Sequence, residues 1–215
     1  MSNDIRIKKG LDINLKGEAQ KAKEAAIISN FFTIRPEDFH SVIPKLVAKE
    51  GVKVKAGETV FYDKSNEAVK FASPVSGEVT EIARGEKRRI LSIKIQADKE
   101  QLYQDFGSLN VDNASADEVK SKLLTAGCWP FIKQRPYDVI ANPDKVPKAI
   151  FISGYASAPL AADLDFTLQG KEAELQAAIS ALGKLTEGRV HISVGKNANS
   201  PLANLSDAAI HKVSG

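Results

Sequence analysis

Hydrophobic and polar residues alternate in the first hundred residues in a way that predicts β-strands. Near the N-terminus, apolar side chains occupy every second position on both sides of Gly10, a period typical of half-buried strands. These side chains are Ile5, Ile7, Leu11, Ile13 and Leu15. Residues 18–26 are rich in Ala, Lys and Glu, a composition compatible with either a helix or a solvated loop. Phe31, Phe32 and Ile34 form a further short strand that ends before Pro36.

Residues 50–95 contain three glycine turns between short strand-like runs. Gly57 precedes the run 59–62, Gly77 precedes Val79 and Ile82, and Gly85 precedes the alternating run 91–95. Turns this closely spaced favour a compact β-fold. We therefore predict a barrel-sandwich domain over residues 1–100, similar to the lipoyl and biotinyl carrier domains.

From residue 115 onward the period changes to that of helices and buried strands. Ser115 and Glu118 form a capping box that predicts a helix ending near Ala126, with Gly127 as its stop. The run AIFIS at 149–153 is typical of a strand buried on both faces. A helix over 171–185 and a strand over 190–194 follow it. The apolar stripe of that helix is Leu175, Ala178, Ile179, Leu182 and Leu185.

Strand, helix and strand of these lengths make a βαβ unit, so residues 101–215 are predicted to form an α/β, Rossmann-like domain. The fold class is thus mixed α+β: a β-rich domain followed by an α/β domain, with the boundary within 98–113. Residues 203–212 have the composition of the start of a helix. Because a lone βαβ unit leaves sheet edges unpaired, we expect the domain to be truncated at its C-terminal end, with more protein beyond Gly215.

Composition narrows the class of protein without naming a function. Of the 215 residues, 43% are hydrophobic and 27% charged, as in globular proteins, and 30 basic against 27 acidic residues give a net charge of +3. Such a balance gives little attraction to nucleic acid. No apolar run reaches the ~20 residues that a membrane-spanning helix needs, and the N-terminus lacks the apolar core of a signal peptide. We expect a cytoplasmic protein that meets a membrane only through other proteins.

Cysteine and histidine offer no metal or cluster site by their spacing. Cys128 is the single cysteine, which excludes an internal disulfide and a multi-cysteine cluster, and we expect it to be a small buried side chain. His40, His191 and His211 share no ligand spacing. No residue is predicted to be catalytic, and no metal is expected.

Two basic features invite a functional interpretation. The pair Asp63-Lys64 is the type of site on which swinging-arm domains hold a lipoyl or biotinyl group. Lys64, however, lies seven residues after Gly57 and thirteen before Gly77, so residues 65–67 look more like the turn and an unmodified lysine is favoured. The cluster RGEKRR at 84–89 predicts a solvated turn or a docking contact for an acidic partner.

A segment with the only tryptophan combines aromatic and cationic side chains. Trp129, Phe131, Lys133 and Arg135 follow the first predicted helix, and Tyr155 lies in the loop after the 149–153 strand, at the end where α/β domains bind ligands. Aromatic rings beside cations can hold a flat, partly anionic ring such as a quinone. We predict these five residues as quinone contacts; the alternative, favoured for large aromatic side chains in general, is that Trp129 and Phe131 are core anchors between the domains.

Several segments resemble one family in the same order along the chain. They are IRIKKGLDINL at the N-terminus, DKSNEAVKFASPVSGEVTEIARGEKRRIL at 63–91, WPFIKQRPYDVIANP at 129–143 and SGYASAPLAADLDF at 153–166. Together they resemble the A subunit of the Na⁺-translocating NADH:quinone oxidoreductases (Na⁺-NQR), and the resemblance covers essentially the whole chain.

This resemblance implies a peripheral subunit on the cytoplasmic face of the bacterial inner membrane. Its complex oxidises NADH, reduces ubiquinone or menaquinone and pumps sodium, and its partners are the membrane and peripheral subunits of the complex. In this family the A subunit is associated with quinone binding, whereas NADH oxidation, the covalent flavins and the sodium path belong to other subunits. The chain is not expected to be catalytic in isolation.

A wider resemblance connects the chain with flavin-binding subunits of the Rnf and complex I type. Those proteins have a glycine-rich FMN loop where this chain has AGCWPF at 126–131, and an acidic loop where it has YASAP at 155–159. Without those glycines the backbone cannot approach an FMN phosphate closely, so FMN is not expected. The single cysteine likewise leaves no iron–sulfur cluster expected. Two alternatives stay open: a flavin- or NADH-binding oxidoreductase domain, and a carrier domain modified at Lys64.

Overall fold

A computed structural model describes residues 3–10, 13, 15–17, 19–26, 29–196 and 199–214. By its internal contacts the chain divides into two compact units. The β-rich unit comprises residues 26–109 and 120–145, and the α/β unit comprises residues 1–25, 110–119 and 146–215. Each unit is therefore assembled from segments that are not contiguous in sequence, whereas the sequence pattern places one boundary at residue 100.

The described residues contain thirteen strands and three α-helices, with four short 3₁₀ turns. The strands are β1 Asn3–Arg6, β2 Phe31–Ile34, β3 Pro44–Leu46, β4 Lys53–Val54, β5 Thr59–Asp63, β6 Asn66–Ala72, β7 Gly77–Arg84, β8 Ile90–Ala97, β9 Lys133–Gln134, β10 Val139–Ile140, β11 Ile150–Ser153, β12 Val190–Gly195 and β13 Ala208–Ser214. The helices are α1 Ala116–Thr125, α2 Leu164–Thr167 and α3 Glu172–Gly183. The 3₁₀ turns are Pro36–Asp38, Glu86–Arg88, Trp129–Phe131 and Pro201–Asn204.

Two antiparallel sheets make up most of the β-rich unit. One has the order β2-β8-β7-β4 and the other β3-β5-β6. Both contribute to the buried apolar residues, with Phe61 and Phe71 stacked at 4.4 Å between ring centroids and Val79, Ile93 and Ile95 fully buried. The predicted strands over 31–34, 59–62 and 91–95 are all present. Leu91 nevertheless lies exposed, because an irregularity in the β7–β8 pairing shifts the register near Arg84.

The α/β unit is built on a parallel sheet with the order β1-β13-β12-β11. The chain runs from β11 through α3 to β12, as the βαβ prediction requires. Ile179 of α3 packs in one core with Val190, Ile192 and Val194 of β12, and with Leu202. Leu175 and Leu182 pack against this core, whereas Ala178 of the predicted stripe is exposed.

Three expectations for the strands of this unit are wrong. Residues 203–212 form no α-helix: residues 208–212 belong to β13, whose backbone is paired on both sides by β12 and β1. β11 is not buried on both faces: one face is open, where Phe151 is 78% exposed, and β11 is also the edge strand of its sheet. Among the described residues near the N-terminus, β1 is the one strand, and it pairs with β13, while Ile13 and Leu15 are exposed outside any strand.

Two of the predictions for the N-terminal region include a residue that is not among the described residues. Leu11 and Glu18 lie there, and residues 19–26 form neither helix nor strand, in agreement with the solvated-loop alternative.

Both ends of α1 form as the sequence predicts. At its start the backbone N–H of Glu118 donates to Ser115 Oγ (3.2 Å), and Glu118 Oε2 accepts from the Ser115 N–H (2.8 Å). At its end the N–H of Gly127 donates to Leu124 O and that of Cys128 to Leu123 O. This is a Schellman arrangement, and Gly127 has the left-handed φ of 69° that it requires.

Candidate functional site

The aromatic and cationic segment of the β-rich unit folds into a short hairpin that follows α1. The 3₁₀ turn Trp129–Phe131 leads into β9, which pairs antiparallel with β10. Pro130 favours the start of such a turn, because its fixed φ suits helical backbone and it has no N–H to satisfy. We refer to residues 129–141 as the aromatic hairpin.

Trp129 is the buried anchor of the aromatic hairpin. Its side chain is only 5% exposed, and its indole Nε1–H donates to Ala141 O at 2.7 Å. The Ala141 N–H in turn donates to Ile132 O at 2.8 Å. The ring therefore ties the beginning of the hairpin to its end, so Trp129 is an internal anchor of this hairpin.

Unlike buried Trp129, Phe131 and Tyr137 project into solvent. They are 76% and 71% exposed, values that are high for large aromatic side chains. Phe131 makes an edge-to-face contact with Phe39 at 6.3 Å between ring centroids, which orients the ring while leaving most of its surface free. An exposed ring held in this way is available for contact with a ligand or a partner. The sequence prediction included Phe131 but not Tyr137, although Tyr137 lies in the same segment.

The carboxylate of Asp138 contacts both cations of the aromatic hairpin. Asp138 accepts a hydrogen bond from Lys133 Nζ at 3.1 Å and lies 3.6 Å from Arg135 Nη1. The Lys133 hydrogen bond is the main reason why the pKa of Asp138 lies below its usual value, and the charges of Lys133, Arg135 and His40 act in the same direction. With two cations and one carboxylate, the aromatic hairpin itself has a net charge of +1.

Tyr155, the fifth predicted contact, belongs to the α/β unit. It is partly buried in the loop after β11, where Ser153 Oγ–H donates to its carbonyl oxygen at 3.2 Å. The preceding Gly154 is closely packed, since a Cβ there would lie 2.6 Å from Leu202 Cδ1 and 2.8 Å from Ser193 O. The structure thus brings Trp129, Phe131, Lys133 and Arg135 together in one hairpin, and Tyr155 lies in the other unit.

Lys64 occupies a different place from the one that glycine spacing predicted. β5 ends at Asp63 and β6 begins at Asn66, so the two-residue turn is Lys64-Ser65 and not residues 65–67. The buried Asp63 carboxylate accepts hydrogen bonds from Ile43 N–H (3.2 Å), Ser65 N–H (3.1 Å) and Ser65 Oγ–H (2.6 Å). These bonds fix the turn and present Lys64 to solvent at its tip.

Three further side chains differ from their sequence-based description. Cys128 is exposed and not buried, because it follows the Schellman glycine at the surface end of α1. His191 and His211 are twenty residues apart but lie on the adjacent strands β12 and β13, with His191 Nδ1 2.8 Å from His211 Nε2. Only the pairing of the strands could have revealed this contact.

Within the described ranges, no group of three or more His, Cys, Asp or Glu side chains is arranged to hold a metal ion. The same ranges include no helix long and apolar enough to cross a bilayer.

Both parts of the chain match domains of known protein families. Residues 5–98 match the NqrA N-terminal barrel-sandwich hybrid domain, and residues 114–215 match the NqrA second alpha/beta domain. The chain belongs to the NqrA family. Its predicted fold class, a barrel-sandwich domain followed by an α/β domain, is thereby confirmed, as is the resemblance to this family.

Similar curated proteins agree with this membership. A protein of Marinomonas sp. (strain MWYL1) is 30% identical over 212 residues, covering 98% of this chain and 47% of the relative. A protein of Histophilus somni (strain 129Pt) is 29% identical, with coverages of 98% and 48%, and one of Yersinia pestis is 31% identical over 190 residues, with coverages of 87% and 42%. Each is named as the A subunit of Na(+)-translocating NADH-quinone reductase. The chain spans about half the length of these relatives.

Proposed function

We propose that the chain serves as the NqrA subunit of a sodium-pumping respiratory NADH:quinone oxidoreductase. The observation behind this proposal is the match of two consecutive NqrA domains, in family order, over residues 5–98 and 114–215. Three relatives that bear the name of this subunit are similar over 87% or more of the chain.

In this role the chain is a peripheral subunit on the cytoplasmic face of the bacterial inner membrane. It meets the bilayer through the other subunits of the complex, which hold the flavins, oxidise NADH and move sodium. The chain itself holds no FMN, iron–sulfur cluster or metal in this proposal, and ubiquinone or menaquinone is the small molecule that it contacts.

Deletion and complementation in the source organism test this role. Membranes from a strain without the gene should lose Na⁺-dependent NADH:quinone reductase activity, and a plasmid copy should restore it. Na⁺-independent NADH oxidation by the same membranes serves as the internal control. Unchanged Na⁺-dependent activity in the deletion strain would contradict the proposal.

For the quinone contact, we propose the exposed surface of the aromatic hairpin. Phe131 offers an open ring face, Lys133 and Arg135 offer donors for the quinone oxygens, and buried Trp129 holds the turn in place. Tyr155, which lies at the carboxyl end of a parallel strand, remains the fifth member of the predicted set.

A pair of aromatic substitutions tests this surface. Phe131→Ala should weaken binding of a short-chain ubiquinone by about tenfold, the effect of losing one stacking contact of about 1.4 kcal/mol. Tyr103→Ala is the matched control, because Tyr103 is 73% exposed in the same unit but outside the hairpin. Quenching of Trp129, the only tryptophan, reports the binding. Equal loss of affinity in both variants would rule out a specific contact at Phe131.

A second candidate function rests on the position of Lys64 at the tip of the β5–β6 turn. A carrier domain would hold a lipoyl or biotinyl group there, with its carboxyl carbon in an amide bond to Lys64 Nζ. The intact mass of protein isolated from its own host tests this directly. A lipoyl or biotinyl increment above the mass calculated from the host protein's own sequence that disappears in Lys64→Arg would support the carrier role, and the unmodified mass would exclude it.

A further inference from the structure

We propose that the turn between β7 and β8 is a docking site for an acidic segment of a partner protein. We call Arg84, Lys87, Arg88 and Arg89 the basic tip. The proposal rests on the proposed function, because the partner would be another subunit of the NADH:quinone reductase. It deepens that function by naming the surface used and the chemistry of its counterpart.

Backbone hydrogen bonds hold the basic tip in one shape. The Gly85 N–H donates to Arg89 O at 2.8 Å, and the Arg89 N–H donates back to Glu86 O at 3.1 Å. Arg84 Nη1 adds a longer bond of 3.3 Å to Arg88 O. A closed turn presents its side chains with little loss of conformational entropy on binding.

Two neighbouring residues of the turn have left-handed backbone. Lys87 has a φ of 52° and Arg88 a φ of 62°, a region that side chains other than Gly, Asn and Asp rarely adopt. Glycine or asparagine would fit this backbone with less strain, yet the sequence has a lysine and an arginine. Residues held in such sparsely populated backbone regions cluster at functional sites.

The turn that carries the basic tip includes one carboxylate, Glu86, against four cations, so most of the charge of the basic tip is uncompensated. Arg89 lies 3.6 Å from Glu37, but that carboxylate is also bound by Arg35. Among the residues that the structure describes, Arg84, Lys87 and Arg88 form no ion pair, and their side chains are exposed. An acidic partner would supply the missing carboxylates, and planar guanidinium groups bind carboxylates through two parallel hydrogen bonds.

Composition favours a protein over a lipid surface as the counterpart. Residues 84–89 include no aliphatic or aromatic side chain, and the nearest exposed one, Leu91, lies against Gly85 and is only 38% exposed, so the tip offers a single partly covered side chain to a bilayer. Electrostatic docking to a protein needs no such anchor, and it would act mainly on the rate of association.

Asparagine substitutions can test the loss of binding separately from any loss of folding. Lys87→Asn with Arg88→Asn removes two charges and suits the left-handed backbone, so the fold should be retained. Lys53→Asn with Lys55→Asn is the matched control: it removes the same charge from β4 and the residue after it, and β4 pairs with the opposite end of β7. The probes are the detergent-solubilised reductase purified from a strain without this gene, and vesicles of phosphatidylglycerol.

The expected result is about tenfold weaker binding of the tip variant to the subunit-depleted reductase, with a smaller salt dependence, and wild-type binding by the control. Equal binding by all three proteins would overturn the docking proposal alone. Failure of the wild type to bind the depleted reductase would overturn the proposed function as well. Loss confined to the vesicle assay would identify a lipid contact instead and would also overturn the proposal.

Discussion

At the scale of single residues, Gly77 shows that the sequence can mark a glycine without revealing why the fold requires it. Its position between strand-like runs predicts a turn, but the structure makes it the first residue of β7, opposite Ala97 of β8. A Cβ at this position would lie 2.0 Å from Gln96 O. The glycine is needed because another strand approaches closely, and such an approach has no local signal in the sequence.

Gly77→Ala should therefore destabilise the β-rich unit by about 3 kcal/mol, since the clash is with backbone that cannot move aside easily. Gly51→Ala is the comparison: its φ of 79° is unfavourable for alanine, but no atom lies within 4 Å of the added Cβ, so the cost should be about 1 kcal/mol. Urea unfolding followed by Trp129 fluorescence measures both. Equal losses would show that the close approach to Gln96 is not the cause.

At the scale of elements, the sequence predicts well where local chemistry decides the structure. The capping box and the glycine stop of α1 are both present, because they depend on residues within a few positions of one another. The expectations for β11 and β13 are wrong for the opposite reason. Whether an apolar run becomes a central strand, an edge strand or a helix depends on its neighbours in the sheet, which the run itself does not specify.

The capping box predicts a particular dependence on pH. Hydrogen bonds from the Ser115 N–H and hydroxyl lower the pKa of Glu118 below its usual 4.5. Because the folded pKa is the lower one, the stabilisation is present above pH 4.5 and is lost as the pH falls through the folded pKa. In Glu118→Gln this component should be missing, so wild type and variant should differ at about pH 6 and converge toward about pH 3.

Helix content measured by circular dichroism during urea unfolding tests this dependence. Glu187→Gln is the control, since it makes the same change at an exposed carboxylate that accepts no hydrogen bond in the described part of the chain. A constant difference between wild type and Glu118→Gln from about pH 6 to about pH 3 would contradict the assigned role of Glu118.

At the scale of the whole molecule, the fold class was predictable and the grouping of segments was not. Period-2 and helical patterns distinguish the two domain types, and the family match confirms them. The pairing of β1 with β13 joins residues about two hundred positions apart, which no periodicity reports. For the candidate site, the sequence placed Phe131 and the two cations in one segment, as the hairpin has them, but it could not show that Trp129 is an internal anchor or that Lys64 lies at a turn.

The central claim is that the chain works as one subunit of a sodium-pumping NADH:quinone reductase. The most direct measurement is isolation of the tagged chain from its own host in mild detergent, with its co-purifying proteins identified and quantified by mass spectrometry. The account predicts the other subunits of that reductase in amounts equal to the tagged chain. Recovery of the tagged chain alone would contradict the account. So would its recovery with an unrelated assembly, if the reductase purified from the same cells were complete and lacked the tagged chain.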